Sequence, residues 1–137
     1  MTLAVTDCPD CGGGTLPFPV PEEYRSLLPG EEPGAALCRR CLSLHPDPDP
    51  DPPGELPEFQ RVSDALPANP DAAVPMALAV GLLDSLALYR SEIGDLLAAA
   101  ERAGTDPLLV LDRLARDPEL DPAVDLAGRR HQLEQLL

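Results

Sequence analysis

Four cysteines fall in two C-x-x-C pairs, Cys8 and Cys11 in "CPDCGGG" and Cys38 and Cys41 in "CRRCL". Cysteines at this spacing close a disulfide, exchange electrons as a dithiol, or ligate a metal ion. Two pairs can place four sulfurs tetrahedrally around one ion. The two-residue gap lets the backbone fold over the metal as a knuckle, with amide N–H groups aimed at the first sulfur of each pair. Pro9 pre-sets φ inside the first knuckle, and Gly12 permits its tight backbone. The gap between pairs exceeds the usual span of about 15 to 20 residues, which only lengthens the loop between knuckles. The alternatives have less support. A thioredoxin-like site needs a helix after the pair to lower a thiol pKa, and here glycines follow. A disulfide suits an oxidising compartment, whereas "MTLAVTDC" has no basic start and no apolar run of an export signal. Four thiolates favour zinc, although iron also fits. The expectation is one structural Zn2+ on Cys8, Cys11, Cys38 and Cys41. A closed shell of four sulfurs leaves no open position, so the chain is expected not to be an enzyme.

Other residues invite chemistry less strongly. His45 could replace a cysteine, but four sulfurs already fill the shell, so it is expected to be an exposed residue leading into the next segment. Arg39 and Arg40 sit at the tip of the second knuckle, from which nucleic acid or protein could be touched. The plainer reading is two solvent-facing guanidiniums among many acids. His131 with Arg129 and Arg130 suits the C-terminal half of a helix. Asp84 and Ser85 are expected on a helix's wet face. The carboxylates of "PDPDPDP" cannot loop tightly enough for calcium because prolines alternate with them. No Ser-His-Asp set, phosphate loop or metal-hydrolase motif is present.

The elements that would hold these residues divide the chain into three. Residues 1–45 carry all the cysteines. Within them 15–20, 35–38 and the start of "CLSLH" read as short antiparallel strands, with 21–34 a loop or helical turn. Residues 46–70 form a Pro/Asp-rich linker, in which "PDPDPDPPGELP" is expected to be an extended spacer. One short turn of helix around Phe59 and Val62 follows. Residues 71–137 read as an all-α region of about three helices. Pro75 suits the first turn of a long first helix, with Gly81, Gly94 and "YRS" at 89–91 weakening it towards a bend and Gly104 ending it. Thr105 is a cap for the second, over Leu108, Leu111 and Leu114. Asp121 and Pro122 start the third. The fold class is therefore α+β, with a small metal-bound N-terminal sheet and a helical C-terminal region.

The chain has 137 residues, within reach of one domain or two small ones. Its formal net charge is −14, and every basic residue is an arginine. The excess of carboxylates suits either a surface that repels acidic ligands or life in a very salty cytoplasm. The absence of lysine favours salt, because guanidinium pairs better with carboxylate and a lysine stem exposes more apolar surface per charge. The apolar run at 72–89 contains Asp84, Pro75 and much alanine, and reads as a buried core helix, not a membrane span. A cytoplasmic protein without membrane association is expected.

"CPDCG" followed by a second C-x-x-C resembles the zinc-ribbon class. In particular it is similar to the CPxCG-type zinc-finger proteins of salt-loving archaea, over roughly residues 6 to 45. The second pair departs from that form, with Arg39 in place of proline and Leu42 in place of glycine. The resemblance carries no activity with it; the favoured reading is a ribbon acting as a rigid, metal-clamped recognition knob. The expected function is thus a non-catalytic zinc-binding module that meets a protein partner, with its leucine-rich helices packing on that partner or on a second copy as a homodimer. A nucleic-acid ribbon working through Arg39 and Arg40 is the alternative, and lacks the basic patch such domains carry. Thiol-disulfide exchange is the third reading.

Overall fold

The computed structural model describes residues 7–47 and 57–136. Residues of the Pro/Asp spacer from 48 to 56 lie outside them. The fold is α+β: a three-stranded antiparallel sheet followed by a helical region.

The strands are β1 (Thr15–Pro19), β2 (Gly34–Cys38) and β3 (Leu44–Asp47), in that spatial order. Register pairs Thr15 with Cys38 and Leu37 with Leu44, so the β2–β3 turn is the second cysteine loop. All five residues of the central strand β2 are buried. Pro17 and Pro19 lie on β1, an edge strand, where a missing N–H does not break an interior ladder. Pro46 and Asp47, expected in the spacer, instead extend β3 and pair with Ala35 and Gly34. Between β1 and β2 the chain makes a one-turn helix, α1 (Glu22–Arg25), and a 3-10 turn at Pro29–Glu31.

A 3-10 turn at Phe59–Arg61 buries Phe59. It is followed by α2 (Pro70–Leu82), α3 (Arg90–Arg102), α4 (Pro107–Ala115) and α5 (Leu126–Leu136). Asn69 caps α2 by accepting from the amide of Asp71 at 3.1 Å. The helix therefore starts five residues before Pro75, which sits in its second turn instead of its first. Ala72 through Val80 are all buried, which makes α2 the central helix of the core. The long first helix expected from the sequence is two helices, α2 and α3, packed on one another across a break at residues 83–89. Asp84 in that break is exposed, as expected. No helix among the described residues is long and apolar enough to cross a membrane.

Sheet and helices bury their apolar faces together. Leu16, Phe18 and Leu37 from the strands and Val20 just past β1 share one core with Val62, Leu66, Met76, Leu78, Leu97, Leu111 and Leu133. The rings of Phe18 and Phe59 meet edge to face with centroids 5.0 Å apart. With so few aromatic residues, leucine and alanine fill most of the remaining volume. A side-chain bond of long sequence range closes the assembly: Ser63 Oγ donates to Asp117 Oδ2 at 2.6 Å.

Two helix starts differ from expectation. Asp106, not Thr105, caps α4, accepting from the amide of Leu109 at 3.2 Å. The last helix begins at Leu126, not near Asp121 and Pro122. Residues 121–123 are occupied otherwise: the amide of Asp121 donates to Arg40 O at 2.7 Å, and that of Ala123 to Cys41 O at 3.0 Å. These bonds hold residues 121–123 against the second cysteine loop, and the helix starts beyond them at Asp125, whose carboxylate accepts from the amide of Gly128 at 3.1 Å.

Candidate metal centre

The first cysteine loop, residues 8–14, precedes β1. It is closed by Cys8 N–H to Gly13 O at 2.7 Å and Gly12 N–H to Cys8 O at 2.8 Å. Gly12 supplies the positive φ, +78°, that this turn requires. The second loop, closed by Cys38 N–H to Ser43 O at 2.8 Å, reaches the same geometry with Leu42 at φ +65°. A leucine in that region costs about 1–2 kcal/mol, and burial of its side chain in the shared core offsets the strain. This explains how the second pair dispenses with glycine. The loops are tied to each other by Arg39 N–H to Gly14 O at 2.9 Å.

The arrangement brings the four sulfurs together, all within 4.8 Å of one another. Cys8 Sγ lies 3.6 Å from Cys41 Sγ, and Cys11 Sγ 3.4 Å from Cys38 Sγ, so both close approaches run across the two loops. A tetrahedron with metal–sulfur bonds of about 2.3 Å has edges of about 3.8 Å, so the donor set fits one ion. Cys8, Cys38 and Cys41 are buried, and Cys11 is exposed. The amides of Arg40 and Cys41 donate to Cys38 Sγ at 3.4 and 3.3 Å, and that of Gly13 to Cys11 Sγ at 3.4 Å.

Sequence reasoning missed the other side of the cluster. Ser43 Oγ lies 3.2 Å from Cys8 Sγ and 3.0 Å from Cys41 Sγ. His45, expected to be exposed, is instead half-buried on β3 with Nε2 3.5 Å from Cys8 Sγ and 3.1 Å from Ser43 Oγ. Two-residue alternation along "LSLH" was the available signal: it puts Ser43 and His45 on one face of the strand. Arg39 and Arg40 are exposed, as expected. His131 is also exposed, beside Gln135 and Glu134 on α5. The carboxylates of "PDPDPDP" fall mostly outside the described residues.

Burial and hydrogen bonding pull the thiols in different directions. Burial raises Cys8, but hydrogen bonds from Ser43, the Cys11 amide, His45 and the Asp10 amide outweigh it and bring the thiol down to about 5. Burial pushes Cys38 up to about 12 against the pull of the Cys41 and Arg40 amides. Cys41 is raised as well, again chiefly by burial, with Ser43 opposing. Without an ion, burial keeps protons on Cys38 and Cys41. A divalent cation at the sulfurs would stabilise their thiolate form and release the protons.

A small antiparallel sheet with four cysteines gathered from two loops, backed by a helical bundle, defines a class of compact cysteine-cluster proteins able to hold one metal ion. Residues 7–137 match the model of a family of unknown function, DUF6276, and the chain belongs to that family. No curated protein and no solved structure matches it.

Proposed function

We propose that the protein is a non-catalytic zinc-binding module of zinc-ribbon type, working in the cytoplasm as a protein-interaction or regulatory element. One observation carries this: four sulfurs from two separate loops lie within 4.8 Å of one another, with two cross-loop pairs at 3.4 and 3.6 Å and backbone amides aimed at Cys11 and Cys38. Such a set prefers zinc and, once filled, offers the ion no open position among the four sulfurs. The acidic, lysine-free composition supports adaptation to high salt and a relation to CPxCG-type proteins of salt-loving archaea. The partner is expected to be a protein, with a second copy of the chain as one candidate. Exposed Leu88 and Leu109 offer apolar contact on the helical side.

Metal analysis of purified protein tests the reading. About one zinc per chain should survive dialysis, and thiol reagents should react only after a strong chelator is added. A metal-free protein with freely reactive thiols that cycle with a disulfide would overturn it in favour of redox chemistry. Exchanging Arg39→Glu together with Arg40→Glu should leave partner binding intact. If it instead abolishes copurification with nucleic acid, the nucleic-acid reading replaces this one.

A further inference from the structure

We propose a second, exchangeable site for a divalent cation beside the four-cysteine cluster, formed by Cys8, Asp10 and His45 and sharing the Cys8 sulfur with the first ion. The proposal rests on the four-sulfur reading and extends it.

Three donors of different chemistry converge there. Cys8 Sγ, a carboxylate oxygen of Asp10 and Nε2 of His45 all lie within 4.8 Å of one another. The Cys8 Sγ to His45 Nε2 distance is 3.5 Å. Bonds of about 2.3 Å to sulfur and about 2.0–2.1 Å to imidazole nitrogen at a tetrahedral angle give an edge of about 3.5 Å. His45 Nε2 is 3.9 Å from Asp10 Oδ2. The Asp10 side chain is largely exposed and can rotate to close the remaining few tenths of an ångström.

The surroundings favour a cation over the other uses of these groups. A cavity of about 380 Å³ opens on this side, lined by Asp10, Cys41, Ser43, His45 and Asp84 among others, and by no arginine. It gives room for water on the positions that three protein ligands leave open. A divalent ion held by four thiolates carries two net negative charges, and Asp10 and Asp84 add two more nearby. No arginine among the described residues lines this cavity to answer them. The site differs from the first in each respect that sets affinity: three ligands instead of four, one of them shared, one exposed, and mixed N, O and S donors. It should bind more weakly and exchange quickly, and suits the borderline ions zinc, cobalt and cadmium. His45 must present a bare Nε2 to the ion, carrying its proton on Nδ1.

The test is a cadmium titration of the full-length protein, followed by thiolate-to-metal absorption and by metal analysis after gel filtration at defined free cadmium. Two equivalents per chain are expected, one tight and one weak. His45→Ala and Asp10→Asn should each weaken the second equivalent by more than the roughly 100-fold that loss of an outer-shell partner costs, with the first retained. Far-UV circular dichroism confirms that each variant folds. Saturation of the wild type at one equivalent overturns the second site and leaves the first standing. So does a second equivalent unchanged in both variants. In the same titration, absence of any tight equivalent overturns the four-sulfur reading itself.

Discussion

Gly81 lies near the end of α2, where the helix crosses β3. A Cβ added there would sit 2.3 Å from Leu44 Cβ, 2.8 Å from its Cδ2 and 2.9 Å from its Cγ. Carbon atoms in contact sit about 3.5–4.0 Å apart, so strand and helix would have to part by over an ångström. Rotating the leucine cannot relieve the worst overlap, because Leu44 Cβ is fixed to its own backbone. Alanine gains about 1 kcal/mol over glycine inside a helix, while forcing an extra methyl into a packed interface costs about 1–3 kcal/mol or more. The backbone displacement puts Gly81→Ala at the upper end, for a net loss of roughly 1–2 kcal/mol. Gly94 in α3 is the internal control: its added Cβ would meet nothing within 4 Å, so Gly94→Ala should stabilise by up to about 1 kcal/mol. Urea denaturation of both variants beside the wild type reads the difference. Opposite signs are expected. If Gly81→Ala is as stabilising as Gly94→Ala, the sheet does not rest on α2 as described, and the shared core is wrong.

Four further outcomes follow from particular contacts. Leu42→Gly relieves the left-handed strain of about 1 kcal/mol but empties a buried leucine position whose loss costs about 2–5 kcal/mol, so it should lower unfolding free energy by some 2–3 kcal/mol in denaturant melts. Cys38→Ser should raise the dissociation constant of the tight metal more than about 100-fold in competition with a chromogenic chelator, exceeding the effect of losing an outer-shell partner. Ser63→Ala removes the donor to Asp117 from a buried position and should cost about 1.5–3 kcal/mol, as charge-assisted bonds do; calorimetry reads it. Burial first, then the nearby Glu23 and Asp71 charges, raise Tyr24 above its ordinary value against the pull of Arg102. Its neutral form is thus favoured in the fold, and the stability it gives is intact below the ordinary tyrosine value and lost as pH rises through the raised one. Tyr24→Phe should flatten that alkaline decline in stability measured against pH.

What was legible in the sequence was local. The cysteine spacing announced the gathering of four sulfurs, and the periodicity of "TLPFPV" and "AALC" announced strands that form nearly as expected. The helical tail could be read from leucine spacing and caps, yet its count and starts could not. The break at 83–89 leaves only weak marks because its residues are still apolar and helix-compatible. Residues 121–123 are instead docked by a pair of hydrogen bonds on carbonyls some 80 residues earlier, which no local pattern encodes. The same holds for His45: its nearness to Cys8 depends on the β2–β3 register, and the alternation that places it beside Ser43 is too short to carry weight alone.

The structure also changes where the folding energy of the N-terminal third must come from. Alone, a segment of about 45 residues would bury little apolar surface and would depend on an ion to fold. Yet Leu16, Phe18, Val20 and Leu37 are buried against the helices, so the sheet is stabilised by apolar burial whether or not an ion is present. The second cysteine loop is doubly held, by the β2–β3 ladder and by the amides of Asp121 and Ala123 on the carbonyls of Arg40 and Cys41. The first loop is different. Between Asp7 and Gly14 it contributes no side chain but Cys8 to any buried cluster; its backbone tie to the second loop is the bond from Arg39 to Gly14, and its other contacts there and on β3 run through the side chains of Cys8, Asp10 and Cys11. A metal ion bound by the four sulfurs would therefore act mainly on residues 7 to 14, fastening one polar loop onto a scaffold that is already built. Such an ion would close a clasp, with the exposed Cys11 on its solvent-facing side.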